Sequence, residues 1–287
     1  MTKAQVTKIP ILTAPKTYAP IQHPSLSVKQ EEILNRLSDY VKEILLTDSE
    51  KAWANEACLQ RYLRASKWHL DEAMERIKYS LEWRRTYKPE HIDPKEVEPE
   101  SVTGKMHING FDKHGRPIIY LRPGRENTKA GPGQVRHVVF YFESAIRLMP
   151  EGTENIVVLI DFHGASARTS PGIGIAKEFM HVLSSHYPEQ LGLALVVNAP
   201  WYFWVFFRLI SPFIDPVTKA KIKFVDLNDG TKAANGGQWT TLDQFISQDM
   251  LEREYGGNNA FEYHHETYWS ALLEKTNRET TRQALKD

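Results

Sequence analysis

Several clusters in this sequence have residue types and spacings that bear on chemistry. Gly164-Ala165-Ser166-Ala167-Arg168 follows directly on the aliphatic run from Ile156 to Phe162. It has the opening of a G-x-S-x-G nucleophile elbow, in which a strand-to-helix turn exposes a serine hydroxyl. Arg168 stands where the last glycine would let the backbone pack, so a catalytic serine is not expected there. Gly172-Ile173-Gly174 lacks the third glycine of a dinucleotide fingerprint and does not follow directly on a strand. No glycine loop leads into Lys-Ser or Lys-Thr, which excludes a P-loop. The histidines are scattered. His264 and His265 are neighbours and project to different faces of either a helix or a strand. His181 and His186 are five apart and share a helix face poorly, so surface and packing roles are expected of them. The single cysteine, Cys58, can build neither a disulfide framework nor a four-thiolate zinc site. That usage fits a reducing compartment. Without a convergent acid, base and nucleophile the chain does not read as an enzyme. No metal and no cofactor is expected.

A different set of charges remains. Glu189 lies in Tyr187-Pro188-Glu189-Gln190-Leu191-Gly192, and Thr218 and Lys221 lie in Asp215-Pro216-Val217-Thr218-Lys219-Ala220-Lys221. They flank the most apolar part of the chain. On spacing alone, Glu189 and Lys221 read as an ordinary surface pair of small energetic worth.

That apolar part runs from Leu191 to Phe207 without a charge, close to the length of a membrane-crossing helix. Asn198 and Pro200 interrupt it, and Pro200 lacks the backbone donor that a helix interior needs. The spacing predicts a strand over 193–198 followed by a separate helix over 201–210. Trp201, Tyr202, Phe203, Trp204, Phe206 and Phe207 leave that helix no clear polar stripe. A helix apolar all round is buried or faces lipid.

The elements around these residues alternate. The first 28 residues carry Pro10, Pro15, Pro20 and Pro24 and no long apolar core, so they read as an extended lead and not as a signal peptide. Ser27 and Gln30 form a capping-box signature, and Ile33, Leu34, Leu37, Tyr40, Val41 and Ile44 recur at helical spacing. Further helices are expected over 50–65 and from Asp71 to before Pro89. Pro89, Pro94 and Pro99 then mark a linker. Beyond residue 100 strands are expected at 118–122, 156–162, 193–198 and 222–225, with helices at 135–149, 173–186, 201–210 and 242–255. Strand-helix alternation implies a largely parallel sheet with crossover helices. We divide the chain into an extended lead (1–28), a helical domain (29–98), an α/β domain (99–273) and a charged tail (274–287). At 287 residues it can bury about three-quarters of its extended surface without a staple. With 36 basic and 36 acidic residues it carries no net charge, which argues against a nucleic-acid binder held by bulk charge.

These segments together resemble the CRAL-TRIO lipid-transfer proteins, in particular the fungal phosphatidylinositol-transfer family. The resemblance covers about residues 29 to 273. It is carried by CLQRYLRASKWHLDEA, DKHGRPIIYL, IVVLIDFHG and HYPEQLGLALVVNAPWYFWVFFRLISPFIDPVTKAK. LRASKW, YLRPGRENTK and the late FEYHHETYWSAL look most similar to the yeast branch linked to azole resistance. The resemblance implies a helical lead domain and an α/β fold whose mixed, largely parallel sheet floors an apolar lipid pocket. A helical gate would close that pocket. Trp201, Tyr202, Phe203, Trp204, Phe206, Phe207, Ile210 and Phe213 match the pocket and gate. Glu189, Thr218 and Lys221 match the family's contacts to the phosphatidylinositol headgroup, with Asp112 a further match. Ser66 and Gln190 stand where the family founder has arginines, and Ile108 replaces a tyrosine of the phosphatidylcholine subsite. Of that subsite's small hydroxyl pair Ser166 is kept and Arg168 replaces the other. The resemblance therefore implies a soluble phosphatidylinositol carrier with weak or no phosphatidylcholine binding. Its partners would be a phospholipid, a transient membrane surface and a lipid kinase, and not nucleic acid. It would reside in the cytoplasm, at the periphery of endoplasmic reticulum or lipid droplets. A carrier of a sterol, an azole-like compound or haem, or a module presenting lipid to a kinase, is the alternative.

Overall fold

The computed structural model describes residues 6–166, 169, 173–211, 214, 216–227 and 239–277. Four helices form the first half of the chain: α1 (Val28–Ile44), α2 (Asp48–Trp53), α3 (Glu56–Ala65) and α4 (Leu70–Tyr87). The capping box at Ser27 is present, with Ser27 and Gln30 bonded reciprocally. The single helix expected over 50–65 is two, because Asn55 leaves helical geometry and its side chain caps Cys58 N at 3.0 Å. Leu34, Leu37 and Val41 of α1 pack on Leu59, Tyr62 and Leu63 of α3 and on Ile77 of α4 as a small separate core. The proline-marked linker contains a further helix, α5 (Pro94–Ser101), with Asp93 capping Lys95 N and Pro94 in the first turn where no donor is needed.

The second half is built on one six-stranded sheet in the order β1 (Met106–Phe111), β2 (Pro117–Leu121), β3 (Ile156–Asp161), β4 (Leu191–Val197), β5 (Ile222–Val225) and β6 (Trp239–Thr240). Only the β1–β2 pair is antiparallel. Parallel strands in sequential order, joined by right-handed crossovers, must carry all the connections on one face. That face takes α6 (Pro132–Leu148), α7 (Ile173–His186) and the pair α8 (Trp201–Ile210) and α9 (Pro216–Ala220). Ile119, Ile156 and Val158 point to this side and join Val139, Phe140, Val182 and Tyr268 in the main core. A last helix, α10 (His265–Lys275), supplies Tyr268, Trp269 and Leu272. Alternate residues, among them Val157, Leu159, Leu195 and Val197, face the other way, onto Leu242, Ile246 and Leu251.

That second cover corrects the sequence reading. The helix expected over 242–255 is only two short 3-10 turns, Leu242–Gln244 and Arg253–Tyr255. The chain turns between them so that Glu252 can reach into the sheet, where it accepts from Asn109 Nδ2 at 2.8 Å and Arg122 NH2 at 2.7 Å and pairs with His107 Nε2 at 2.9 Å. The extended lead runs along the β1 edge. Gly110 N donates to Ile11 O, Ile11 N to the Asn109 side chain, and Ala19 N to Lys113 O. It covers a strand edge that would otherwise expose unpaired backbone groups.

Candidate functional site

Glu189 and Lys221 come from different loops and meet because β4 and β5 are parallel neighbours. Glu189 lies just before β4, and Lys221 lies between α9 and β5. Their strands are in register at Ala194 and Ile222, and Ala194 N donates to Lys221 O at 2.9 Å. Lys221 Nζ lies 3.3 Å from Glu189 Oε2, with side chains 20% and 27% exposed respectively. The pair is therefore long, single-pronged and partly open to solvent. Glu189 has φ +60°, a left-handed conformation that non-glycine residues rarely adopt. Backbone strain of this kind persists only where the surroundings impose it. Thr218 lies one turn before Lys221, and its carbonyl accepts from Lys221 N at 3.1 Å.

Asp112 requires a correction. Its carboxylate is fully buried. Oδ1 accepts from His114 N and Arg116 N at 3.0 and 2.8 Å, and Oδ2 accepts from Arg116 Nε at 2.7 Å and NH2 at 2.6 Å. Four bonds use up the acceptor capacity of a carboxylate. Asp112 holds the β1–β2 turn and is not open to a ligand. It does orient Arg116, whose guanidinium crosses β4 at Gly192. A Cβ at Gly192 would stand 2.7 Å from Arg116 NH1 and 2.5 Å from Asn155 Oδ1, so only glycine fits there.

Two arginines that the sequence reading passed over lie close by. Arg61 and Arg64 sit one turn apart on α3. Arg64 NH2 bonds Glu154 Oε2 at 2.5 Å, and Arg61 NH1 stands 4.0 Å from the same oxygen. The buried Gln190 amide accepts from Arg61 Nε at 3.2 Å and donates to Glu154 O at 3.1 Å. The positions of Ser66 and Gln190 thus lack arginines, while α3 brings two others beside Gln190. Their spacing within CLQRYLRA was the available signal. Ser66 itself is buried at the C-cap of α3.

The opposite, C-terminal end of the same strands carries α8. Its inner side chains pack on the sheet rim. Trp204 lies 4.4 Å from Phe224 between ring centroids, Phe207 5.3 Å from Phe224, and Phe203 4.8 Å from Phe162. Its outer stripe is exposed, with Trp201 at 78%, Val205 at 63% and Arg208 at its end. The helix is thus neither buried all round nor free. Tyr202 is half-buried, and its hydroxyl has no partner among the described residues. Phe213 and Arg168 lie outside the described residues, as do the side chains of Phe206 and Ile210. Asn198, at φ +54°, forms the root of α8 and donates to Asp161 Oδ1 at 2.8 Å. Tyr255 OH donates to Asp161 Oδ2 at 2.9 Å. Between the two ends the crossover face presents half-buried apolar side chains, including Ile160, Phe179 and Leu183. Ile108 is fully buried in β1, and Ser166 N is bonded to Thr169 Oγ1 at 2.8 Å. Among the described residues no helix is long and apolar enough to cross a membrane.

An α/β sheet with all crossovers on one face, preceded by a helical unit, is the architecture of a known class of lipid binders. The CRAL/TRIO domain family matches residues 101–257, and the CRAL/TRIO N-terminal domain matches residues 29–78. The chain belongs to the CRAL/TRIO lipid-binding family. It is 42% identical over 263 residues to a CRAL-TRIO domain-containing protein of Schizosaccharomyces pombe, covering 87% of this chain and 25% of that protein. It is 35% identical over 262 residues to phosphatidylinositol transfer protein PDR17 of Saccharomyces cerevisiae, covering 86% of this chain and 71% of the relative. Phosphatidylinositol transfer protein CSR1 of Eremothecium gossypii is 30% identical, over 75% of this chain and 51% of its own length. The crystal structure of Sfh5 superposes with a TM-score of 0.68 at 16% identity, covering 92% of this chain and all of the other. That likeness is one of fold.

Proposed function

We propose that this protein binds phosphatidylinositol, or a close relative of it, and exchanges it between membranes. The carrying observation is the placement of Glu189 and Lys221 at one end of β4 and β5, with the root of α8 at the other. The seven residues of β4 span roughly 23 Å. An acyl chain filling one leaflet of a hydrocarbon core about 30 Å thick needs roughly 15 Å. A lipid laid along the crossover face would set its headgroup at Glu189 and Lys221 and its chain ends under α8. Lys221 supplies charge to the phosphodiester, Thr218 a hydroxyl donor, and Glu189 an acceptor for inositol hydroxyls. The relatives named as phosphatidylinositol transfer proteins support this reading, and it treats the protein as a carrier and not an enzyme.

The energetics favour exchange over release. Two acyl chains hold roughly thirty methylenes, each worth about 0.8 kcal/mol on leaving water. Free diffusion of the lipid is therefore prohibitive. A pocket that imitates the bilayer interior makes transfer nearly balanced. Selectivity then falls to headgroup atoms, which need partners once desolvated. The outer stripe of Trp201, Val205 and Arg208, together with exposed Val217 on α9, would touch the membrane surface, at endoplasmic reticulum or lipid droplets. Phosphatidylcholine would bind weakly, because the position matched to its aromatic contact is Ile108, fully buried in the core.

The test is solvent extraction of the purified protein and identification of its lipid by mass spectrometry, followed by transfer assays on Lys221→Ala. Phosphatidylinositol in the extract is expected, and the variant should lose about 10- to 100-fold in affinity for it, as for one hydrogen bond to a charged group. Recovery of a sterol, haem or phosphatidylcholine alone would overturn the headgroup reading. Tight retention of phosphatidylinositol without transfer would favour presentation to a lipid kinase.

A further inference from the structure

The C-terminus of α7 and the turn that follows it lead straight into Glu189, and α4 of the helical lead domain grips them residue by residue. Arg76 NH2 donates to Ser184 O at 3.2 Å. Ser80 Oγ donates to Ser185 O at 3.1 Å and lies 3.1 Å from His186 Nδ1. The Trp83 ring stacks on His186 with centroids 4.1 Å apart and planes within 5°. Arg84 NH2 bonds Glu143 Oε1 on α6 at 2.9 Å, and Tyr187 OH donates to the same oxygen at 2.8 Å. Residues 76, 80, 83 and 84 lie on one face of a helix. They take up residues 184, 185, 186 and 187 in order. On the far side of Glu189, Gln190 is held by Arg61 of α3.

Helix C-termini need partners for their last carbonyls, and those of α7 find them on another domain. Pro188 and Glu189 are thus the only residues of the turn without a hold from the lead domain among the contacts described, and Glu189 carries the left-handed φ. A strained residue between two anchors has its side-chain direction set by those anchors.

We propose that the helical lead domain determines headgroup specificity. In this account Ser80, Arg84 and Tyr187 are positioning residues that aim Glu189 at Lys221 and at the headgroup. The inference rests on the reading of Glu189 and Lys221 as headgroup partners.

The test offers the full-length chain vesicles containing equal phosphatidylinositol and phosphatidylcholine. It measures the ratio of the two lipids bound, the total lipid per protein and the melting temperature. The variants are Ser80→Ala with Tyr187→Phe, Tyr187→Phe alone, and Lys221→Ala. Both Tyr187 variants leave the buried Arg84–Glu143 pair intact, so folding is retained, and the single variant serves if the double one does not fold. The expected result is a fall of about 3- to 10-fold in the inositol-to-choline ratio with total lipid unchanged, as for the loss of one or two ordinary hydrogen bonds. An unchanged ratio in the Tyr187 variants, with a collapsed ratio in Lys221→Ala, would overturn the positioning role and leave the headgroup reading standing. A ratio that falls only in step with total lipid and melting temperature would overturn it as well. An unchanged ratio in Lys221→Ala would sink the headgroup reading itself.

Discussion

Two acid–base pairs lie near the N-terminal rim of the parallel strands, and the fold treats them in opposite ways. In the β1–β2 turn Asp112 meets Arg116 through a bidentate contact with both side chains buried. Before β4, Glu189 meets Lys221 through one long contact with both side chains partly exposed. Both acids matched headgroup positions in the sequence. Only the second has acceptor capacity left over. A residue can serve a ligand only with the valence that the fold has not already used, and sequence reports a residue's type without reporting its partners.

The largest effect expected of this contrast is on stability. Asp112→Ala would leave Arg116 buried and unpaired and two turn amides without acceptors. Breaking a buried pair costs about 3–5 kcal/mol. The melting temperature should drop sharply, while the fraction still folded should keep its preference among phospholipids. A changed preference at unchanged stability would return Asp112 to the headgroup site and dissolve the contrast.

Acid should act next, and on the Glu189 side. Burial, with smaller contributions from His181 and Arg84, pushes the His186 imidazole down to about 4. The unfolded chain has the ordinary value of about 6.5. Between those values the unfolded state binds a proton that the folded state refuses. Stability is therefore full above pH 6.5 and falls as pH drops toward 4, by at most about 3 kcal/mol from this group. Urea unfolding of the wild type and of His186→Gln across that range would check it. An identical pH profile in the two proteins would contradict the assignment. Since His186 stacks on Trp83 three residues before Glu189, acidification should also loosen the hold of α4 on the headgroup loop.

What could be read beforehand follows the same division between type and partner. β3 and β4 were legible because strands buried on both faces run aliphatic, as in IVVLID and LGLALVV. β1 was missed because His107 and Asn109 interrupt MHINGF with polar groups. Their burial makes sense only beside Glu252, more than 140 residues away. The same Glu252 broke the helix expected over 242–255. Glu189, Thr218 and Lys221 were picked out by family resemblance, since an acid and an amine 32 residues apart carry no signal by spacing. Arg61, Arg64 and the α4 face stayed hidden because they contact residues about a hundred positions away in another domain.

The smallest effect discriminates most sharply. Lys221→Ala removes one partner of a partly exposed pair, and such pairs are worth about 0–1 kcal/mol. Glu189 would be left with solvent access, so no buried charge is stranded. Thermal unfolding of the lipid-free protein should barely move, while phosphatidylinositol transfer falls. The dissociation of the two readouts is the point: stability and selectivity should separate at Lys221 and stay together at Asp112. If Lys221→Ala costs as much stability as Asp112→Ala, the Glu189–Lys221 pair is a structural tie like its neighbour. The headgroup must then be sought among the arginines of α3, beginning with Arg61 and Arg64.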